Sequence, residues 1–231
     1  MNLLLIESAT NICSVALSRE GKIISIRENG EGNRHAELLT VFIEEVMKEG
    51  GCTFAQLDAV AVSMGPGSYT GLRIGVSAAK GICYAVEKPL IAVGTLEAMA
   101  YGMIKEAKPG DFLIPMIDAR RMEVYTAIYD HEGKTLKAVS PIILDENFVI
   151  QISNLHPPVS NLLFSGDGMP KAKELLSKIP NAVFTESGNC SAKNLMIPAE
   201  KKFLEKDFED VAYFEPFYLK TFHPGPKRSE E

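Results

Sequence analysis

The chain opens with strands, passes to strand–helix alternation, and then runs through the same order again, which points to two α/β lobes. Residues 3–8 form a near-continuous apolar run and residues 12–18 a second. A turn at Glu20-Gly21 follows, and residues 22–27 alternate. Three consecutive strands predict a meander at one edge of a sheet. Residues 58–63 and 90–93 read as buried strands, each leading towards a helix. Beyond Pro109-Gly110 the pattern restarts, with strands over 112–117, 122–129 and 138–144. Then come a strand over 162–165, a helix over 170–178, a brief strand at Val183-Phe184, and a helix to about Phe203 with Ser191 as its cap. The expected division is therefore a first lobe over residues 1–108 and a second over 109–231. A mobile tail rich in proline and charge is expected from about residue 222.

Two helices of the first lobe carry too many apolar residues for an ordinary surface position. Asn33 is placed to cap the first, which runs to about Glu49 and stops at Gly50-Gly51. Its apolar positions, among them Leu38, Val41, Phe42, Val46 and Met47, sweep an arc of roughly 240°, where a surface helix needs one stripe of about 100° or more. The second helix, over about 70–86, has one narrow polar stripe of Arg73, Ser77, Lys80 and Tyr84. The rest of it is apolar or small, with glycine at 71, 75 and 81. Glycine inside a helix costs up to about 1 kcal/mol relative to alanine. Three of them predict close approach by another backbone. Each helix is expected to be covered on two sides or to meet a partner.

The net charge of -6 argues against a protein that grips nucleic acid alone, because such proteins displace counterions with a basic stripe. The basic clusters here, such as Arg120-Arg121 and Lys227-Arg228, are short. The four cysteines form no C-x-x-C pair and read as reduced core thiols. Glu7 interrupts the opening apolar run too early for a signal peptide. No stretch approaches the roughly 20 apolar residues that span a bilayer. A cytoplasmic protein without membrane contact is expected.

The loop Gly65-Pro66-Gly67-Ser68-Tyr69-Thr70-Gly71 joins a strand to a helix N-terminus, where backbone amides and the helix dipole favour an anion. It is no P-loop, for no Gly-Lys-Ser/Thr follows, and Thr70 stands where G-x-G-x-x-G needs its last glycine. The plainer reading is a tight turn with Ser68 as helix cap. Nor is Gly67-Ser68-Tyr69 the elbow of a serine hydrolase, and no histidine is paired with it by any sequence feature. The histidines at 35, 131, 156 and 223 are scattered, with no i, i+4 pair, so no metal site is expected. Asp118, Arg120, Arg121 and Glu123 form a charged knot between two strands, which reads as a salt-bridged turn in preference to a partner contact.

The segment from Ser63 through Gly65-Pro66-Gly67-Ser68-Tyr69-Thr70-Gly71-Leu72-Arg73 to Gly75 resembles the signature of the TsaB (YeaZ) family. Flanking pieces resemble the same family in order: Ile6-Glu7-Ser8-Ala9-Thr10, Arg34-His35-Ala36-Glu37, Pro89-Leu90-Ile91-Ala92-Val93-Gly94-Thr95, Ile117-Asp118-Ala119-Arg120-Arg121-Met122-Glu123 and Tyr218-Leu219. The resemblance spans most of the chain and is strongest before about residue 130. It implies a pair of ribonuclease-H-like lobes of the actin, sugar kinase and Hsp70 ATPase superfamily. It also implies an accessory subunit, without catalytic residues, in the synthesis of threonylcarbamoyladenosine on tRNA. TsaD is the implied partner through the first two helices, TsaE joins the complex, tRNA is met only within it, and a homodimer is expected when the chain is alone.

On that resemblance, Leu38, Val41, Phe42, Arg73, Val76 and Lys80 are the candidate interface residues. Glu7, Ser8, Thr10, Gly65, Gly67 and Ser68 are candidates for a degenerate nucleotide or anion loop. The catalytic relative TsaD carries a metal-binding His-x-x-x-His whose aligned positions here are Thr95 and Met99, poor ligands for a hard metal. The family usually shows Asp where this chain has Glu7, and the superfamily's hairpin glycine is missing, which weakens the case for ATP hydrolysis. No cofactor is expected. The competing reading is a peptidase-like protein or weak nucleotide hydrolase acting through the cleft between lobes.

Overall fold

The computed structural model describes residues 1–31, 34–154 and 160–220. Its first sheet contains β1 (Asn2–Glu7), β2 (Cys13–Arg19), β3 (Lys22–Asn29), β4 (Ala59–Gly65) and β5 (Leu90–Gly94), in the order β3-β2-β1-β4-β5. The second contains β6 (Phe112–Asp118), β7 (Glu123–Asp130), β8 (Thr135–Ile143), β9 (Leu162–Ser165) and β10 (Ala182–Phe184), in the order β10-β9-β6-β7-β8. Each is an antiparallel meander of three strands extended by two parallel ones. The two sheets have one topology, as a duplicated lobe requires.

Both faces of the first sheet are covered, which is why β1 reads as an unbroken apolar run. Leu4 and Ile6 face α1 (His35–Glu49) and α2 (Tyr69–Val86). Leu3 and Leu5 face the opposite layer, made by α3 (Thr95–Met103), a 3₁₀ turn at Ala192–Leu195 and α6 (Met196–Glu205). The second sheet packs α4 (Glu146–Ser153) and α5 (Met169–Leu176) on one face. Its other face meets Leu96, Met99, Ala100 and Met103 of α3. Helix α3 is thus shared by both lobes, and its near-total burial follows from lying between two sheets.

The break at Pro109-Gly110 separates the sheets but not the packing units. Residues 192–205 return to the first sheet, and Glu209 pairs antiparallel with Leu90 on the outer edge of β5. The chain then crosses α2: Lys80 Nζ donates to the carbonyls of Ala212 and Phe214 at 3.2 and 2.9 Å, and Phe217 N donates to Met64 O at 2.7 Å. This strap covers an edge that would otherwise present unpaired backbone groups.

Several local expectations change. Ser191 makes no cap; its hydroxyl donates to Glu28 Oε1 at 2.5 Å, which also accepts from Ser14. The cap expected at Asn33 and the tail from residue 222 lie outside the described residues, and Arg34 precedes α1 with no side-chain cap bond. Helix α4 has no counterpart among the expected elements, although Asp145 caps it by accepting from Phe148 N at 2.9 Å. No helix among the described residues is long and apolar enough to cross a membrane.

Candidate partner-docking groove and a filled phosphate cradle

The glycine loop closes on the first hairpin instead of opening around a ligand. Ser68 N donates to Ala9 O at 2.6 Å, and Gly71 N to the Ser68 hydroxyl at 3.2 Å, so two amides at the start of α2 are already engaged. A Cβ on Gly67 would lie 2.2 Å from Ala9 O, and one on Gly71 would lie 2.1 Å from Ser8 O. Gly65, at φ +117°, lies under the strap, where an added Cβ would meet Phe217 O at 2.5 Å. Glycine is required at 67 and 71 because two backbones touch there. Ser68 is the N-cap of α2.

Glu7 sits beneath this contact, 1% exposed. Its Oε1 accepts from Ala9 N at 2.7 Å and from the Ser63 hydroxyl at 2.9 Å, while Oε2 has no partner among the described residues. Burial pushes its carboxyl up to about 7 against those two hydrogen bonds, which pull it down. Ser8 Oγ is also buried without a partner among the described residues, and a Cβ on Gly75 would lie 2.1 Å from it. The Thr10 hydroxyl accepts from Ile12 N at 3.3 Å. Glu7, Ser8, Thr10, Gly65, Gly67 and Ser68 are therefore brought together, but into a packed joint between hairpin and helix.

The candidate metal positions, histidines and cysteines are placed as follows. Thr95 and Met99 are buried in α3, and Met99 lies against Gly166. Among the described residues no three His, Cys, Asp or Glu side chains are placed to share a metal ion. His35 Nε2 lies 3.2 Å from Ile12 O, and His131 pairs with Glu132 at 3.9 Å; His156 and His223 lie outside the described residues. All four cysteines are free and buried, with burial pushing the Cys13 thiol up to about 11 and Cys83 to about 12. Thiols held so high carry almost no thiolate near neutral pH.

The outer surface of α1 and α2 does present an unfilled feature. A groove of about 290 Å³ runs between them, lined by Thr40, Ile43, Glu44, Phe54, Ala78, Gly81 and Ile82, with Glu44 its one charged residue. Its lining is almost wholly apolar. Val41 is 45% exposed, Tyr84 is 83% exposed, and Phe54 is also exposed. Gly71 and Gly75 are explained by Ser8, but a Cβ on Gly81 would meet nothing within 4 Å. The third glycine keeps open the floor of the groove.

The six candidate interface residues divide. Val41 is exposed beside the groove, and Leu38 and Phe42 are half-buried against the core. Val76 is 4% exposed and packs in the core, reaching the surface only where it lines a shallow pocket with Arg73, Lys80 and the strap. Arg73 stacks 4.1 Å over the Tyr69 ring and donates to the Tyr218 hydroxyl, and Lys80 holds the strap, so both are engaged within the chain. The features missed from sequence are Phe54, the open side of Gly81 and the strap itself.

The charged knot after β6 is paired differently from the expected turn. Lys171 of α5 donates to Asp118 Oδ1 at 2.5 Å and to the carbonyls of Arg121 and Glu123 at 2.9 and 2.6 Å. Lys220 pairs with Glu123. Arg120 and Arg121 have φ of 71° and 47°, the left-handed region, which costs an L-residue about 1–2 kcal/mol.

Residues 31–222 match the family model described as TsaD, tRNA N6-adenosine threonylcarbamoyltransferase. Along nearly its whole length the chain is similar to the tRNA threonylcarbamoyladenosine biosynthesis protein TsaB of Escherichia coli K12, with 34% identity over 228 residues covering 96% of this chain and 95% of that protein. The solved structure of YeaZ from Pseudomonas aeruginosa superimposes with a TM-score of 0.77 at 25% identity, covering 94% of this chain and 99% of that one. The ROK hexokinase of Thermus thermophilus shares the fold at a TM-score of 0.50 and 10% identity, covering 89% of this chain and 100% of that one. The two lobes thus share the fold of YeaZ and of a sugar kinase, in keeping with the repeated strand order.

Proposed function

The chain belongs to the TsaB family, and from that premise we propose that it serves threonylcarbamoyladenosine modification of tRNA as a non-catalytic subunit that docks TsaD through the α1–α2 groove. The observation that carries this reading is the groove. Its apolar floor is held open at Gly81, where a larger residue would be the better helix former. The exposed apolar side chains Val41, Phe54 and Tyr84 on the same two helices and the turn between them add to the apolar surface that a partner would cover. TsaE joins the resulting cytoplasmic assembly, and tRNA is met there. In the absence of TsaD the same face pairs two copies of this chain in an isologous homodimer.

The filled joint at Gly67 and Gly71 supports the non-catalytic part of the reading and weighs against a nucleotide hydrolase. With ATP or ADP at millimolar concentration, the isolated chain is expected to show no rise in Tm. A ligand at 100 times its Kd would add about 2.7 kcal/mol, several degrees for a chain of this size. Such a rise would restore the hydrolase reading. The docking itself is tested by mixing the chain with its cognate TsaD and measuring mass by light scattering. A single heteromeric species is expected; two separate species across salt and nucleotide conditions would refute the assignment.

A further inference from the structure

We infer that the tight turn Arg120-Arg121 is a contact for the phosphate backbone of RNA, a site on the second lobe separate from the α1–α2 groove. The inference rests on the tRNA reading above for the identity of the polyanion. The structure supplies the rest. The other left-handed non-glycine residues have local reasons: Glu87 and Lys206 terminate helices, Glu20 precedes Gly21 in a hairpin, and Asn181 is of a type that tolerates this region. Arg120 and Arg121 are consecutive, in a connection where asparagine and glycine fit with less strain. Strain of this kind persists only where the surroundings over-determine it.

Here the surroundings do so. Lys171 fastens the turn from below through its three bonds. Arg120 N donates to Asp118 Oδ1 at 2.7 Å, and Asp118 N donates to Asp167 Oδ1 at 2.9 Å. The backbone is fixed by these groups, yet neither guanidinium makes a hydrogen bond or ion pair among the described residues, and both arginines are exposed. Of the three local carboxylates, Asp118 pairs with Lys171, Glu123 pairs with Lys220, and Asp167 accepts from Asp118 N; the Arg120 charge is felt at Asp118 but makes no ion pair with it. Two adjacent forks of N–H donors on a rigid turn suit phosphate oxygens.

The turn also stands at the carboxyl end of β6, beside β9, the side of a parallel pair where this class of sheet binds ligands. Met122 and Ile143, the cross-strand partner of Glu123, are the large apolar side chains exposed beside the turn, so an acidic protein partner is the competing occupant that the test must separate from RNA. A chain with net charge -6 can use such a contact only as one part of a larger RNA surface, so the test belongs in the complex.

The test uses Arg120→Asn combined with Arg121→Gly, which removes both charges while giving the turn residues that suit its φ angles. The full chain and cognate TsaD are assembled, and the Kd for unmodified tRNA is measured from about 50 to 200 mM salt. The variant should keep the wild-type Tm or exceed it by about 2–4 °C. It should bind TsaD as wild type does. It should bind tRNA about tenfold more weakly, with the salt slope reduced by about 1 to 2. Unchanged tRNA affinity and slope in an intact complex would overturn the inference while leaving the docking proposal standing. Weakened TsaD binding would overturn it in favour of a protein contact. If wild-type chain and TsaD never assemble, the docking proposal fails first, and that outcome is read from the mass alone.

Discussion

Gly71→Ala should destabilise the protein by about 3 kcal/mol or more, whereas Gly81→Ala, ten residues along the same helix, should stabilise it by up to about 1 kcal/mol. The difference comes from what each position meets. A Cβ at 71 would lie 2.1 Å from the carbonyl oxygen of Ser8, a backbone atom that cannot rotate away. Relief requires separating α2 from the β1–β2 turn, which carries Glu7 and Ala9 with it. At 81 there is open groove, so alanine simply removes the entropic penalty of glycine in a helix. Chemical denaturation of both variants reads the contrast directly. Equal effects of one sign at the two positions would contradict a filled joint at one end of α2 and an open groove further along.

The second large effect is a pH dependence located at Glu7. Its folded carboxyl stands at about 7, raised from an ordinary 4.5, because burial disfavours the charged form. The folded state therefore holds a proton that the unfolded chain has released. Stability contributed by the protonated form is complete below about pH 4.5. It falls as pH rises towards 7, and above 7 the loss levels off. At about 1.4 kcal/mol for each pH unit of separation, the full loss is about 3 kcal/mol. Glu7→Gln keeps an acceptor for Ala9 N and Ser63 Oγ but cannot ionise. Its curve should lose the Glu7 part of the fall, keeping only the slope from other shifted carboxyls such as Asp167, and should exceed that of wild type at pH 8. A wild-type curve that rises between pH 5 and 7, with Glu7→Gln parallel to it, would show that Glu7 is ionised throughout and is stabilised by its two hydrogen bonds.

Much of this architecture is legible from residues close in sequence. The repeated meander-then-alternation order carried over into two sheets of one topology. The excess of apolar positions on α1 and α2 reflects real burial on one side and a groove on the other. Ser68 before an apolar helix reads as a cap and is one. What eluded the sequence depends on distant partners. A helix apolar around most of its circumference does not reveal which apolar side faces the sheet, so Val76 reads as surface and lies in the core. Arg73 and Lys80 look like a free polar stripe until the strap, more than 130 residues later, takes them.

The same limit applies to the glycines and to the charged turn. Three glycines in one helix look alike in sequence, yet two answer to Ser8 and one to empty space. Asp118 and Glu123 invite pairing with the neighbouring arginines, but Lys171 and Lys220 arrive from elsewhere and leave the arginines outward. Helix α4 is different, because its signal was present. Asp145 followed by Glu146 is a good helix start, masked by a run of Phe148, Val149, Ile150 and Ile152 that reads equally well as strand.

The central claim, that the α1–α2 groove is where TsaD docks, is tested most directly by Gly81→Arg. A Cβ there meets nothing within 4 Å, and arginine is a better helix former than glycine, so the variant should fold with a Tm near that of wild type. Its side chain should occupy the groove beside Glu44 and exclude a partner's apolar side chains from it. Titrated against cognate TsaD by calorimetry, the folded variant is predicted to show no measurable binding under conditions where wild type forms the complex. Binding by Gly81→Arg with wild-type affinity would place the docking surface elsewhere and contradict the account.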